Sequence, residues 1–240
     1  MAHHPLRTVL VCLATVLTVV TSAAAVTGST PDGDAHPYVG ALVVDGQVAC
    51  SGVLIAPTVF ATAGHCTAPL GEGARVSVTF DTSLDANHWI LLGGSTHTHP
   101  GYKGKGADPR DVGLVVLDAA TPVAPALLPA LDSVESLRKK DAVTSVGYGY
   151  SGQAADGSWV YDGLRRVAVS PVVDVTKAML RISTRQAGPC LGDSGGPQLS
   201  GNTVLSLTSA GAKDCTGKAE GYRLDTKSAR AFLGTYVTLP

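Results

Sequence analysis

Charged residues are scarce in this chain of 240 residues. They make up 15% of it, and the formal net charge is -1. The longest run of basic residues has three members, Arg138 and the pair Lys139–Lys140. A chain without a basic patch lacks the electrostatic surface that attracts nucleic acid or anionic lipid, so we expect neither as a partner.

Helix signals are also few. Asp132-Ser133-Val134-Glu135 indicates one or two turns, because its first side chains can cap free backbone N–H groups. Residues Thr226 to Leu233 indicate a short C-terminal helix. Elsewhere, short β-rich segments alternate with turns drawn from 28 glycines and 14 prolines, and Ala119 to Ala130 is the expected connector between two halves. This pattern predicts an all-β sandwich or barrel, with strands in Tyr38–Val44, Val48–Ile55, Arg75–Phe80, Val112–Leu117, Val143–Tyr148, Leu164–Val169 and Val204–Thr208.

Only one apolar run stands out by length, and it is too short to cross a bilayer. It extends from Val9 to Val20, whereas a spanning helix needs about 20 residues. Arg7 precedes the run, and the small residues Ser22 to Ala25 follow it. The pattern predicts a signal peptide over residues 1–25, with cleavage after Ala25. We therefore expect a secreted chain, residues 26–240, with no membrane contact after cleavage.

Cysteines are few: five in all, of which Cys12 falls in the predicted signal peptide. An even number in an exported chain indicates two disulfides, for which three pairings are possible. No CxxC pair is present, and His65 beside Cys66 is poorly spaced for joint ligation, so the spacing disfavours zinc. We expect no metal and no organic cofactor. The four remaining cysteines are Cys50, Cys66, Cys190 and Cys215.

Three local patterns carry residues of catalytic types. His65 ends Ala-Thr-Ala-Gly-His, Asp111 begins an apolar strand, and Ser194 lies in Gly-Asp-Ser-Gly-Gly-Pro. Each alone is commonly a surface, turn or loop feature. Together they form a set with a chemical logic, because a serine hydroxyl is a weak nucleophile that needs an imidazole to take its proton. A carboxylate on the other ring nitrogen fixes the tautomer and stabilises the imidazolium.

The sequences TAGHC, DVGLVVL and GDSGGP resemble the histidine, aspartate and serine motifs of the chymotrypsin/trypsin-like peptidases, in particular their secreted bacterial branch. The order of the motifs agrees, and the resemblance covers essentially all of residues 26–240. It implies two packed antiparallel six-stranded β-barrels with a boundary near residues 119–130 and a short C-terminal helix. It also implies a monomeric serine endopeptidase that acts on protein or peptide substrates without a cofactor.

The resemblance assigns roles to individual positions. Ser194 would be the nucleophile, His65 the general base and then acid, and Asp111 the orienting carboxylate, in preference to the nearby Asp108. The oxyanion hole would consist of the backbone N–H groups of Gly192 and Ser194. The implied disulfides are Cys50–Cys66 and Cys190–Cys215.

The resemblance also concerns the N-terminus. In trypsin-type enzymes a new N-terminal ammonium inserts beside the aspartate that precedes the serine, which is Asp193 here. Cleavage after Ala25 would leave Val26-Thr27-Gly28-Ser29, similar to the family's start. We therefore expect Val26 and Asp193 to form the activating pair, although a free N-terminal tail with Asp193 bonded locally is the alternative.

The resemblance also bears on primary specificity. The resemblance implies a pocket with Gly188 at its floor, so a basic substrate side chain would find no carboxylate there. Ala210 stands where the family usually has tryptophan, which predicts a more open neighbouring subsite. Glu220 leaves basic specificity open, because a register shift of one residue would bring its carboxylate near the pocket. The remaining expected pocket residues are Ser209, Gly211 and Gly221.

Two other functions compete with a peptidase. A catalytically silent binding protein with the protease fold would fit the same motifs, although all three triad residues are present. An α/β-hydrolase esterase would also carry Gly-x-Ser-x-Gly, but its histidine follows the serine and its fold contains many helices. The order of the motifs and the scarcity of helix signals disfavour the esterase.

Overall fold

The computed structural model describes Met1, residues 28–84 and residues 89–240. The expected signal peptide beyond Met1 and the expected new N-terminus, Val26, lie outside the described residues. Within those residues, no helix has both the length and the apolar character needed to cross a bilayer.

The N-terminal half forms a closed antiparallel barrel. A two-residue strand, β1 (Thr30–Pro31), precedes it and pairs with the other half of the molecule. The barrel strands are β2 (Val39–Val44), β3 (Gln47–Ala56), β4 (Val59–Thr62), β5 (Arg75–Thr79), β6 (Leu92–Thr98) and β7 (Gly113–Leu117). They close in the order β2-β3-β4-β7-β6-β5.

The turn between β2 and β3 follows from local sequence. Asp45 and Gly46 both have positive φ, at 49° and 76°. A two-residue hairpin turn with both central residues left-handed matches the twist of the flanking strands, and Asp-Gly is a favoured pair there. The predicted strands Tyr38–Val44 and Val48–Ile55 therefore form a hairpin around this turn.

The C-terminal half forms a second barrel of six strands. The strands of this half are β8 (Ala142–Gly147), β9 (Gly152–Gln153), β10 (Trp159–Val160), β11 (Arg166–Val175), β12 (Met179–Ser183), β13 (Pro197–Ser200), β14 (Thr203–Gly211) and β15 (Lys218–Arg223). The barrel strands pair in the order β11-β12-β15-β14-β13-β8, and pairing of β11 with β8 closes the sheet. A two-stranded ribbon of β9 and β10 lies outside this barrel.

The two six-stranded barrels and the short C-terminal helix confirm the predicted fold class. Helix α1 (Gly64–Thr67) is a single turn after β4, and helix α2 (Lys227–Leu233) follows β15. The side chain of Thr226 caps α2 by accepting a hydrogen bond from the Ala229 N–H. Two 3₁₀ turns, Ala68–Leu70 and Ser133–Ser136, complete the helical content of the described residues.

A buried arginine joins the two barrels. Arg165, just before β11 of the second barrel, is 1% exposed, and its Nε donates to Oδ2 of Asp32 at 2.9 Å. Its Nη1 donates to the carbonyls of Val39 and Phe80 in the first barrel, at 3.1 and 3.0 Å. A buried charge with this many partners is tolerated, but loss of one member leaves the others unsatisfied.

Replacing Arg165 is therefore expected to destabilise the barrel junction. Arg165→Met leaves Asp32 and two carbonyls without a major partner, and should lower the free energy of unfolding by about 3 kcal/mol or more. Chemical denaturation measures this change. Arg138→Met, at an exposed arginine that donates to surface carbonyls, should change stability by less than about 0.5 kcal/mol. Equal effects of the two variants would contradict the assigned role.

Candidate active site

His65 and Asp111 are held together within the first barrel. His65 lies in α1, directly after β4, and Asp111 lies just before β7, which pairs with β4. The backbone N–H of His65 donates to Oδ1 of Asp111 at 2.8 Å, and Nδ1 of the ring lies 2.9 Å from Oδ2. These two contacts fix the ring's position and favour the tautomer with the proton on Nδ1, which leaves Nε2 basic.

Asp111 receives a further hydrogen bond from the second barrel. The Ser209 hydroxyl donates to its Oδ2 at 2.5 Å. Burial alone would raise the pKa of Asp111, but hydrogen bonds from His65 and Ser209 and the attraction of the imidazolium lower the pKa below its ordinary value. Asp111 is therefore ionised at neutral pH although it is 3% exposed.

The loop that carries Ser194 is attached to the first barrel through Ser51, in β3. The Ser51 N–H donates to the Ser194 carbonyl at 2.9 Å, and the Ser51 hydroxyl donates to the Gly192 carbonyl at 3.1 Å. The same hydroxyl accepts from the Tyr148 N–H at 2.9 Å. Ser51 is fully buried, so each of these groups depends on it for a partner.

Close backbone approach brings the serine loop next to the histidine helix. Gly195 has a φ of 77°, and a Cβ added there would lie 2.1 Å from Oγ1 of Thr62 and 2.6 Å from the nitrogen of Ala63. Thr62 and Ala63 lead directly into the helix that carries His65. Only glycine fits at this position, which explains the glycine after Ser194.

Three groups of the serine loop have no hydrogen-bond partner among the described residues. They are the backbone N–H groups of Gly192 and Ser194 and the Ser194 hydroxyl. Gly192 has a φ of 91°, a conformation that favours glycine. Two unpaired N–H groups flanking a half-buried hydroxyl have the composition of an anion-stabilising site.

Asp193 is buried and differs from Asp111 in its partners. It accepts hydrogen bonds from the backbone N–H groups of Gly149 and Cys190, both at 2.8 Å. Burial raises its pKa to about 6, because these two hydrogen bonds only partly offset the loss of solvent. Arg166 shares a small cavity with Asp193, but its guanidinium bonds Ser29 and Asp162.

Two disulfides brace the site, with the pairing that the resemblance implies. One joins Cys50 to Cys66, and the other joins Cys190 to Cys215. One group of potential metal ligands occurs among the described residues: Cys50, Cys66 and His65, whose donor atoms lie within 4.8 Å of one another. Both sulfurs belong to the disulfide, so they are not thiolates and this group is not a metal site.

Two cavities next to β14 lie beside the site, and Ala210 lines both of them. A small cavity of about 110 Å³ adjoins Ser194 and has no charged side chain in its lining. A larger cavity of about 480 Å³ adjoins His65 and contains Ala210 and Glu220. The small cavity is lined by Pro189, Cys190, Leu191, Gly192, Ser194, Thr208, Ala210, Gly211, Ala212 and Ala219.

The four expected pocket residues fall in different places. Gly211 lines the small cavity, whereas Ser209 lines the larger one and bonds Asp111. Gly188 and Gly221 line neither cavity. A Cβ on Gly188 would meet the Thr184 side chain at 2.5 Å, and one on Gly221 would meet the Gln198 side chain at 2.3 Å.

Sequence reasoning missed Ala219, which lines the small cavity next to its strand partner Gly211. The register of β14 against β15 shifts between Thr208 and Ala210, so Gly211 pairs with Ala219 rather than with Lys218. The alternation of side chains between the two faces of β15 could have indicated Ala219 as a lining residue. That inference would have required the position of this bulge, which the sequence does not give.

Comparison with known proteins identifies the family. The Trypsin family model matches residues 25–232. A protein named trypsin from Saccharopolyspora erythraea is 30% identical over 191 residues, which cover 73% of this chain and 82% of that protein. The chain belongs to the trypsin family. Granzyme M from Homo sapiens is 24% identical over 204 residues, covering 75% of this chain and 76% of that protein.

Solved structures confirm the trypsin fold. Neuropsin, a serine protease expressed in mouse brain, superposes with a TM-score of 0.70 at 20% identity, covering 87% of this chain and 97% of that one. The structure titled HBP superposes with a TM-score of 0.71 at 17% identity, covering 89% and 97% of the two chains. A mutant of human heparin binding protein gives 0.66 at 17% identity, with coverage of 87% and 93%.

The position of Glu220 bears on whether this chain has a negative charge in its primary pocket. Its carboxylate lies 2.6 Å from Nε of Arg181, on the side of the larger cavity. Glu220 is absent from the lining of the small cavity, where Ala219 stands instead. The open possibility that Glu220 supplies a negative charge to the primary pocket is therefore not supported by this arrangement.

Ser51 should contribute measurably to stability through its two hydroxyl contacts. Ser51→Ala leaves the Gly192 carbonyl and the Tyr148 N–H buried without this partner, which should cost about 1–3 kcal/mol of unfolding free energy. Chemical denaturation measures the change. Ser145→Ala is the matched control, because the Ser145 hydroxyl is buried without a hydrogen-bond partner. Destabilisation by Ser145→Ala equal to that by Ser51→Ala would contradict the assignment.

Proposed function

We propose that this chain is a secreted serine endopeptidase that hydrolyses peptide bonds through His65, Asp111 and Ser194. Proteins of its family are serine endopeptidases that act on protein or peptide substrates. The observation that carries the proposal for this chain is the pairing of His65 with an ionised Asp111 beside the loop of Ser194.

In the proposed reaction, Oγ of Ser194 attacks the substrate carbonyl carbon while Nε2 of His65 takes the hydroxyl proton. Asp111 accepts from Nδ1 throughout, so the imidazolium that forms is stabilised by a carboxylate 2.9 Å away. The tetrahedral oxyanion accepts from the free N–H groups of Gly192 and Ser194. One such donor contributes about 3 kcal/mol to the transition state.

Collapse of the tetrahedral intermediate completes acylation, and hydrolysis of the acyl-enzyme follows. His65 gives its proton to the leaving amine, and the acyl group stays on Ser194 as an ester. Water then attacks this ester while His65 takes its proton, the bond from the acyl carbon to Oγ breaks, His65 returns the proton to Oγ, and the carboxylic acid leaves. Apart from substrate and water, each group in these steps belongs to this chain.

Cleavage of a mixed peptide library by the secreted protein tests the proposed activity. Wild type should release new amino termini, and Ser194→Ala should lose at least about 10³-fold of that rate, because the nucleophile is absent. Asp111→Asn should lose a similar factor through the wrong tautomer. An unchanged rate in Ser194→Ala would contradict the proposal. Absence of cleavage by folded wild type would favour the silent binding protein instead.

The small cavity supports a preference for a small, uncharged substrate side chain at the bond cleaved. Its volume is about 110 Å³, and its lining includes the paired strand residues Gly211 and Ala219 and no charged side chain. A lysine or arginine side chain would lose its hydration there without gaining a partner.

Ala219→Gly should therefore shift the preference toward larger apolar side chains by about tenfold in relative kcat/KM, because it enlarges the cavity. Peptides that differ only at this position measure the shift. Glu220→Gln is the matched control and should leave discrimination against lysine and arginine unchanged. A loss of basic-residue cleavage in Glu220→Gln would instead establish the Glu220 carboxylate as a specificity group.

We also propose that the ammonium of Val26 pairs with Asp193 after signal peptide cleavage. The backbone of Gly28, two residues on, abuts Gln186 and Ala187: an added Cβ would lie 2.3 Å from the Gln186 carbonyl. This segment leads directly to Cys190, whose N–H donates to Asp193. A buried carboxylate with only two neutral donors would gain from a cation.

The pH dependence of stability tests this pairing. Without a cation, the pKa of Asp193 is raised from 3.8 to about 6, so the folded state holds a proton that the unfolded state has lost. As the pH rises from 4 to 6, the free energy of unfolding therefore falls by about 3 kcal/mol at most. Above pH 6 this contribution is constant. A chain beginning at Ala25 should show this fall, and one beginning at Val26 should not. Identical profiles would contradict the pairing.

A further inference from the structure

The direction of the Gly192 N–H depends on a tight turn just before Ser194. The Asp193 N–H donates to the Cys190 carbonyl at 3.1 Å, which closes a four-residue turn. Gly192 occupies the third position of this turn with a φ of 91°. A positive φ there marks a type II turn, whereas a type I turn has a φ of about −90°. The two forms differ by rotation of the peptide between Leu191 and Gly192, so the form of the turn decides which way the Gly192 N–H points.

A hydrogen bond on the far side of this peptide holds it in place. In a trans peptide the carbonyl and the N–H point in opposite directions, so a partner on the carbonyl sets the direction of the N–H. The Leu191 carbonyl accepts from the Tyr150 N–H at 2.7 Å. This bond therefore directs the Gly192 N–H away from Tyr150, and it persists only while the turn and the segment that carries Tyr150 keep their relative position.

The next peptide of the turn is held by Ser51. Within the described ranges, the Ser51 hydroxyl is the one hydrogen-bond donor to the Gly192 carbonyl, at 3.1 Å. The same oxygen accepts from the Tyr148 N–H at 2.9 Å. Because a hydroxyl has a single proton and its oxygen faces the Tyr148 N–H, that proton is the one directed at the Gly192 carbonyl. The Ser51 hydroxyl thus joins the turn to the segment that begins at Tyr148.

Residues 148–150 contact the serine loop and Ser51 through three consecutive backbone N–H groups. They donate in order to Ser51 Oγ at 2.9 Å, to Asp193 Oδ1 at 2.8 Å and to the Leu191 carbonyl at 2.7 Å. Ser51 lies at one end of this row, and the bond that directs the Gly192 N–H lies at the other. Loss of the Ser51 hydroxyl would free the first N–H of the row and the Gly192 carbonyl together, and so loosen both sides of the contact between the row and the turn.

Close packing confines the Ser51 side chain. It is fully buried in β3 of the first barrel. A Cβ added to Gly147 would lie 2.9 Å from the Ser51 oxygen, and one added to Gly196 would lie 3.2 Å from the Ser51 Cβ. The two glycines therefore let β8 and the serine loop approach Ser51 from the second barrel. The hydroxyl is a fixed point of the first barrel to which the turn is attached.

We propose that Ser51 is a positioning residue for the oxyanion hole, because its hydroxyl keeps the turn in the type II form with the Gly192 N–H directed at the oxygen of the tetrahedral intermediate. This inference rests on the proposed peptidase function. Ser51 acts through the backbone of the loop. Without its hydroxyl the turn would populate both forms, and the Gly192 donor would be available for only part of the time. The loss concerns the transition state more than the bound substrate.

Hydrolysis of a peptide anilide with alanine before the cleaved bond tests the proposal, at a temperature where all variants are folded. Ser51→Ala should lower kcat about tenfold or more and change KM less than about twofold. Ser206→Ala is the matched control. Its hydroxyl is also fully buried and donates to Oε1 of Gln198 at 2.6 Å, so this variant loses a buried hydrogen bond that does not involve the turn. It should lose stability but keep the wild-type kcat. Equal kcat values of the two variants would overturn the proposal.

The pKa of a hemiketal oxygen gives a readout that lost stability does not move. With N-acetylalanine trifluoromethyl ketone, Oγ of Ser194 bonds the carbonyl carbon, the π pair moves to the carbonyl oxygen, and the hydroxyl proton passes to Nε2 of His65. The adduct forms only on folded protein, so it also stabilises a weakened variant. Fluorine NMR follows protonation of the oxygen. Its pKa should be about one unit higher in Ser51→Ala than in wild type, which corresponds to a tenfold loss, and unchanged in Ser206→Ala. An unchanged pKa in Ser51→Ala would contradict the positioning role.

Amide hydrogen exchange separates failure of this inference from failure of the proposed function. A wild type that cleaves no peptide and forms no hemiketal rejects the peptidase, and exchange then decides on the turn alone. The N–H groups of Tyr148 and Tyr150 should exchange at least about tenfold faster in Ser51→Ala than in Ser206→Ala, because the row of bonds to the loop is released. Equally slow exchange at both positions in the two variants would overturn the inference, whether or not the protein is active.

Discussion

The contact between Ser51 and the serine loop is the constraint on which the rest of the site depends. His65 and Asp111 belong to the first barrel, whereas Ser194 belongs to the second, so the nucleophile reaches its base only if the barrels keep one relative position. The Ser51 N–H and hydroxyl fix the carbonyls of Ser194 and Gly192 directly. Arg165 and Asp32 fix the same junction further from the site. Misplacement of catalytic groups by about 1 Å can cost 10²-fold in rate, so this rigidity has a functional consequence.

Two buried aspartates next to the site have opposite electrostatic behaviour, and their partners explain the difference. Asp111 has the imidazole, a hydroxyl and a backbone N–H around it, which lower its pKa. Asp193 has only two backbone N–H groups, and burial raises its pKa to about 6. An ionised Asp111 is what a histidine base needs. An Asp193 without a cation is a group whose charge state an inserted ammonium would change, which links export to the proposed activation.

Local patterns in the sequence predicted the fold class and indicated the candidate catalytic residues, because both depend on short stretches of sequence. The Asp45–Gly46 turn, the C-terminal helix and the glycine after Ser194 are of this kind. The lining of the small cavity could not be predicted, since the bulge between Thr208 and Ala210 changes which residue of β15 faces Gly211. Strand β11 extends to Val175 because it pairs first with β8 and then with β12, beyond the predicted end at Val169. Trp89, Tyr150 and Tyr161 line one cavity beside the serine loop, and they could not be grouped from the sequence because only tertiary structure brings them together.

Selection of substrate and activation of the nucleophile are separable properties of this molecule, and the second is the central one. Phenylmethylsulfonyl fluoride sulfonylates a serine only where the hydroxyl is activated, so its reaction with the folded protein reports directly on the assembled site. Peptide mass spectrometry should find stoichiometric modification at Ser194 in wild type and none in His65→Ala. Correctly folded wild type that remains unmodified, or a His65→Ala variant that is modified equally well, would contradict the account.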